Sequence, residues 1–255
     1  HKNTLGGAQV GSPKVITVKS DTTIAATDHP APEGYMYSPD AAERDYALEG
    51  YLFPDTYELY ADSSPKTIIT RMLIRFNDIF TDEYLTRAQE LDMTIDDVIT
   101  LASIIEKEAK TADFAKVSAV FHNRMAQDMR LESDAPLRYI FKTEGVLDFT
   151  AEQMQSDSPY NTYTHDGLPV GPIGNPGDQA IQAALWPDEE YVEDGYLYFV
   201  LKSRTSTELV FSTDYDDFLE NKEAYQASPA ATPQGTDQGE GEPAATPEVS
   251  PTPEE

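Results

Sequence analysis

Between Ser64 and Gln127 the chain repeats apolar residues at helical rather than strand spacing, so any fold it adopts must bury these stripes against one another. Ser64 followed by Pro65 is a capping residue before a proline at the first helical position, and Ile68, Ile69, Met72, Leu73, Phe76, Ile79 and Phe80 then line one face. A second helix is expected over 82–91. A third begins at Thr94, where Thr94 and Asp97 stand at capping-box spacing with Asp in place of the usual Glu or Gln. A fourth, at about 113–127, carries Val117, Val120, Phe121 and Met125 on one side.

Upstream, Tyr51, Leu52, Phe53, Tyr57, Leu59 and Tyr60 form an aromatic stretch interrupted by Pro54, which predicts an edge strand or an extended lead-in. Downstream come a polar segment, a Gly/Pro-rich loop over 158–177, a short helix near 179–185, strands at 196–201 and 208–212, and a final helix to about Tyr225. The expected class is α+β with a helical majority and a small sheet, without internal repeats.

Length and composition bound the rest. At 255 residues and 39% hydrophobic, the chain can bury one large core or two small ones. Residues 1–47 are Gly-, Thr-, Ser- and Pro-rich, with one short apolar alternation from Val15 to Val18, and are expected to be a partial N-terminal region or linker. Residues 227–255 repeat Ala, Thr, Pro, Gly and Glu without an aromatic or basic residue. Such a segment cannot bury enough apolar surface to offset chain entropy, so a disordered acidic tail is expected. Removing its six acidic residues from the net charge of −28 leaves −22 on residues 1–226. That balance excludes nucleic acid as a partner, because phosphate binding needs clustered Lys and Arg. The absence of cysteine excludes disulfides, thiolate metal sites and a cysteine nucleophile. No apolar run is long enough to span a bilayer, and a chain opening on His1 rather than Met reads as trimmed, with any anchor or export signal expected upstream.

The third helix carries the sharpest chemical signal. Ile95, Ile99 and Ala102 define its stripe, and at roughly 100° per residue Glu106 falls only about 20° from that line. Glu108 falls about 200° from Glu106 and is expected to face water. A carboxyl desolvated among Ile104 and Ile105 has its charged form disfavoured, which would suit it to proton donation near neutral pH, as protonating a glycosidic oxygen requires. The other reading is a structural salt bridge from Glu106 to Arg124 or Arg130. A second catalytic carboxylate could come only from Glu132 or Asp134, which read equally as a polar loop with Asp134 as a turn or cap residue before Pro136.

Tyr160-Asn161-Thr162-Tyr163, Gly167-Leu168-Pro169-Val170-Gly171-Pro172-Ile173 and Asn175-Pro176-Gly177 form the most unusual segment. It is either an architectural loop or a cleft wall offering amides and rings to uncharged sugars, and no Gly-Lys-Ser/Thr follows to make it a phosphate loop. His1, His29, His122 and His165 show no metal-ligand spacing, so neither a metal nor a cofactor is assigned. Ser103 lies one turn before Glu106 but has no nucleophile elbow or histidine partner.

Taken together, Leu48-Glu49-Gly50-Tyr51-Leu52-Phe53-Pro54-Asp55-Thr56-Tyr57 and Leu101-Ala102-Ser103-Ile104-Ile105-Glu106-Lys107-Glu108 resemble the opening motif and catalytic helix of the MltG-type, or YceG-like, endolytic murein transglycosylases. The resemblance continues in order through Val120-Phe121-His122-Asn123-Arg124, Leu131-Glu132-Ser133-Asp134 to Tyr139, the 158–177 loop, Tyr196 to Val200 and Phe211-Ser212-Thr213. It implies a catalytic domain over 48–226 distantly similar to lysozyme, with Glu106 as the catalytic residue and Glu132, Ser133, Asp134, Tyr139, Asn161, Tyr163, Leu168, Pro169 and Asn175 as candidate substrate contacts. The implied partners are peptidoglycan glycan strands and the peptidoglycan synthases. The implied setting is the extracytoplasmic face of a bacterial membrane, with an N-terminal transmembrane helix and a LysM-like subdomain.

Three positions depart from the family pattern: Glu132 where Gln is usual, Ala135-Pro136 where Pro-Thr or Ala-Thr is more frequent, and Phe218 where His is common. The expected reaction is cleavage of the β-1,4 bond between N-acetylmuramic acid and N-acetylglucosamine with a 1,6-anhydro end, as part of glycan-strand termination. The alternatives are a hydrolytic muramidase and a non-catalytic glycan-binding scaffold.

Overall fold

The computed structural model describes residues 14–17 by their backbone, and residues 44–60, 62–143 and 149–229 in full. The expected acidic tail beyond Pro229, and most of the expected N-terminal region, lie outside the described residues.

The architecture is α+β. Strand β1 (Lys14–Thr17) pairs antiparallel with β2 (Thr56–Leu59), with Lys14 opposite Leu59 and Thr17 opposite Thr56. Four helices follow: α1 (Pro65–Ile79), α2 (Asp82–Glu90), α3 (Ile95–Glu108) and α4 (Phe114–Ala126). Then come α5 (Asp134–Phe141), α6 (Ala151–Met154), α7 (Asp178–Leu185) and α8 (Glu189–Glu193). The antiparallel hairpin β3 (Tyr198–Leu201) and β4 (Leu209–Ser212) and helix α9 (Tyr215–Ala227) close the order.

The helix starts obey the local chemistry read from the sequence. The Ser64 side chain accepts the Thr67 N–H at 3.2 Å to open α1, and Thr94 with Asp97 forms a reciprocal capping box on α3. Helices α5, α6 and α8 were not expected. The first is instructive: Pro136 suggested a turn, yet it occupies the third position of α5, where a proline removes no intrahelical bond, and Ser133 is the N-cap.

Helix α3 is the centre of the core. Val98, Ile99, Leu101, Ala102, Ile104 and Ile105 are fully enclosed, and Thr100, Ser103 and Glu108 are buried beside them. Helices α4, α5 and α7 pack around it. A helix apolar on every side is a core helix rather than an amphipathic surface one. The segment from Leu48 to Phe53 lies against the same helix, and Gly50 (φ +90°) makes that approach feasible: a Cβ there would sit 2.5 Å from Pro172 Cγ and 2.7 Å from Ile99 Cγ2. A second, smaller cluster joins the hairpin to α9 through Tyr198, Val200 and Phe218, where the Phe218 ring stacks on Tyr198 at 5.2 Å.

Candidate active site

Glu106 stands two residues from the end of α3, and its Oε1 accepts the backbone N–H of Gly177 at 2.9 Å. Gly177 is the N-cap of α7 and offers that helix no side-chain cap of its own. The carboxyl is therefore placed between the carbonyl end of one helix and the amide end of another, which carry partial charges of opposite sign.

This placement corrects the facing expected from the sequence. Glu106 is half-buried at the junction with the loop, whereas Glu108, expected in water, is fully enclosed. A stripe marks an inner side only on a helix that also has a solvent side, and α3 has none along its middle. Glu108 Oε1 accepts from the Ser133 hydroxyl and from the Ala135 N–H at 3.0 Å, so it acts as an acceptor for the start of α5. Burial pushes its carboxyl up from the ordinary range, against the opposing pull of Arg138, Ser133 and Ala135.

The arginines proposed as salt-bridge partners of Glu106 lie elsewhere. Arg130 pairs with Asp166 at 3.0 Å, and Arg124 with Glu132 at 3.4 Å. Glu132 adopts a left-handed backbone (φ 47°) and is buried against the Arg124 guanidinium. Asp134 is the first residue of α5; it accepts the Tyr163 hydroxyl at 2.7 Å and lies 3.8 Å from Arg138. Both carboxylates are thus engaged with buried donors.

The 158–177 loop is held from within. Asn161 is fully buried, donating to the carbonyls of Met154 and Ser156 and accepting from the Tyr163 N–H. Ser133 takes the Thr162 hydroxyl as acceptor for its own N–H at 3.0 Å, and the Ile173 N–H donates to Ser103 Oγ at 3.0 Å. Asn175 does most: Oδ1 accepts the N–H groups of Gly50 (2.9 Å) and Leu52 (3.0 Å), while Nδ2 donates to Glu49 Oε1 (2.9 Å). Ser133, Asp134, Asn161, Tyr163 and Asn175, offered by the sequence as substrate contacts, are therefore almost wholly enclosed and fix the shape of the loop from inside. Tyr139 is half-buried against the Tyr160 ring at 4.9 Å, with Lys142 Nζ 4.0 Å from its own ring centre. Leu168 and Pro169 line a separate groove of about 800 Å³ with Met93, Met125, Met129 and His122.

Glu49 was not singled out from the sequence as a site residue. Its side chain is 3% exposed; Oε1 takes the Asn175 amide, and Oε2 is buried without a hydrogen bond among the described residues. Burial pushes this carboxyl up to about 7, against Lys142, Lys107 and the Asn175 bond, and with help from Asp45. An acidic residue inside the otherwise apolar run from Leu48 to Phe53 was the available signal.

Among the described residues, no cluster of His, Asp or Glu is arranged to hold a metal ion, and no helix is long and apolar enough to cross a membrane.

The family model described as the YceG-like family matches residues 8–224. An endolytic murein transglycosylase from Bacillus subtilis (strain 168) is 34% identical over 186 residues, covering 72% of this chain and 49% of that protein. Another, from Streptococcus pneumoniae serotype 2 (strain D39 / NCTC 7466), is 33% identical over 160 residues, covering 61% of this chain and 28% of that protein. The crystal structure of a yceG-like protein from Listeria monocytogenes, 36% identical, aligns with a TM-score of 0.63 over 70% of this chain and 57% of the other. The chain spans about half the length of the first relative, and less of the second.

Proposed function

Because the chain belongs to the YceG-like family, we propose that it is an endolytic lytic transglycosylase of peptidoglycan, with Glu106 as its acid and base. The observation that carries this reading is the Glu106 carboxyl held by the Gly177 N–H beside a wall fixed in shape by buried amides and hydroxyls. Glu106 protonates the oxygen joining N-acetylmuramic acid to N-acetylglucosamine, and the C1–O bond breaks to leave an oxocarbenium-like centre. The Gly177 N–H then donates to the carboxylate that remains, a bond that strengthens as charge develops. Glu106 recovers a proton from the muramyl C6 hydroxyl as that oxygen closes onto C1, which gives a 1,6-anhydro end without water.

One carboxyl serving both steps agrees with the engagement of Glu132 by Arg124 and of Asp134 by Tyr163, since a hydrolytic muramidase would need one of them to activate water. As part of the same reading, the full-length protein is anchored in the membrane, faces its extracytoplasmic side and ends glycan strands near the peptidoglycan synthases. Digestion of purified peptidoglycan in heavy-oxygen water tests the chemistry. New ends should be 1,6-anhydromuramic and unlabelled; heavy oxygen at C1 in most new ends would replace the transglycosylase with the muramidase.

A further inference from the structure

Glu49 and Glu106 are tied to opposite ends of one three-residue segment. Asn175 Nδ2 donates to Glu49 Oε1, and two residues on the Gly177 N–H donates to Glu106 Oε1, both at 2.9 Å. Pro176 between them fixes its own φ and shortens the range of motion by which one end could shift without the other. Asn175 has no slack either, because its Oδ1 is held by the Gly50 and Leu52 N–H groups.

An architectural role alone does not require a carboxyl at position 49. Glutamine would offer Asn175 the same acceptor oxygen without a titratable group, and would avoid the desolvation that a buried acid suffers. Glu49 Oε2 is buried without a hydrogen bond among the described residues, an arrangement more typical of functional sites than of packing.

We infer that Glu49 is a positioning residue for Glu106, whose ionisation is conveyed through Asn175 to the Gly177 N–H that holds the catalytic carboxyl. This inference rests on the proposed role of Glu106. When Glu49 is neutral, the Asn175 amide meets a weak acceptor; when it ionises, that bond becomes charge-assisted and a negative charge stands behind the segment. The groups facing Glu49 bias the change in both directions. Lys142, beyond the end of α5, and Lys107 of α3 favour the anion, as does Asn175 of the loop, while burial and Asp45 oppose it. Tyr139 of α5 has its own hydroxyl pushed up by burial and by neighbours that include Glu49, so it remains a neutral phenol across the transition.

Amide resonances of the full chain read this coupling without any need for activity. The Asn175 side-chain amide and the Gly177 backbone amide should move together through one transition with a midpoint near 7. Glu49→Gln should abolish that transition and Glu106→Gln should retain it. Lys142→Met, an exposed change outside the site, should raise the midpoint and keeps the test available if Glu49→Gln folds poorly. In the active enzyme, Glu49→Gln should remove the inflection near pH 7 from kcat while KM stays within about twofold. Silent amides between about pH 5 and 9, the same transition in Glu49→Gln, or a midpoint that ignores Lys142→Met would each overturn the coupling. Absence of anhydro products would instead overturn the proposed reaction and leave the amide result standing.

Discussion

Glu132 Oε2 lies 3.4 Å from Nη1 of Arg124, whose side chain is wholly enclosed. The same guanidinium donates to the carbonyls of Leu197 (2.7 Å), Arg130 (2.9 Å) and Leu131 (3.2 Å) and lies 5.2 Å from the centre of the Tyr198 ring. Burial pushes Arg124 down from its ordinary value, and the Glu132 charge is the largest influence restoring it. The Glu132 carboxylate is therefore the counter-charge of a buried cation in the connection between α4 and α5.

Glu132→Gln should accordingly lower stability by about 1–2 kcal/mol and leave cleavage largely intact. The amide keeps an acceptor for Arg124 and loses only the charge. Urea unfolding alongside a glycan-release assay separates the two effects. A loss of activity as large as that of Glu106→Gln, at unchanged stability, would move Glu132 into the reaction.

Glu106→Gln should reduce cleavage by about 10²–10⁴-fold, the usual range for one general acid and base. The Gln oxygen can still accept the Gly177 N–H, so the fold should be retained, with stability within about 0.5 kcal/mol of wild type. Product yield by mass spectrometry, read with circular dichroism, checks this. Wild-type activity in a folded variant would point to another acid.

Stability should carry a pH signature from Glu49. Its carboxyl is raised in the folded protein from 4.5 to about 7, so the folded state holds a proton that the unfolded chain releases. The resulting stabilisation is complete below pH 4.5 and is lost as pH rises through about 7, amounting to about 3 kcal/mol over that interval. The difference between wild type and Glu49→Gln isolates this contribution from the other carboxylates. Urea unfolding at pH 4.5, 6 and 8 should show the variant gaining on wild type as pH rises. A constant difference would mean that the Glu49 carboxyl titrates alike in the folded and unfolded chain, without the upward shift.

How much of this was legible depends on range. Ser64-Pro65, the Thr94–Asp97 box and the stripe from Ile68 to Phe80 act within a turn or two, and each marks a helix that the structure contains. Helical periodicity singled out Glu106 and left its role open, and it misjudged the sides of α3, because the enclosure of that helix is a property of α4, α5 and α7 packed around it. The partners of the site's buried polar groups are legible only in three dimensions. Glu108 meets Ser133 across 25 positions, Ser103 meets Ile173 across 70, and Glu49 meets Asn175 across 126. Local chemistry names the residues and leaves such pairings undetermined.

The placement of Asn175 also bears on how the protein ages chemically. Spontaneous deamidation proceeds when the nitrogen of the following residue attacks the side-chain carbonyl and closes a succinimide. Here that nitrogen belongs to Pro176, which carries no hydrogen to give up. The amide that joins the Gly50 and Leu52 N–H groups to Glu49 is thereby shielded from the route that would turn it into an aspartate. An aspartate there would set two carboxyls against each other at the one place where the wall needs a donor.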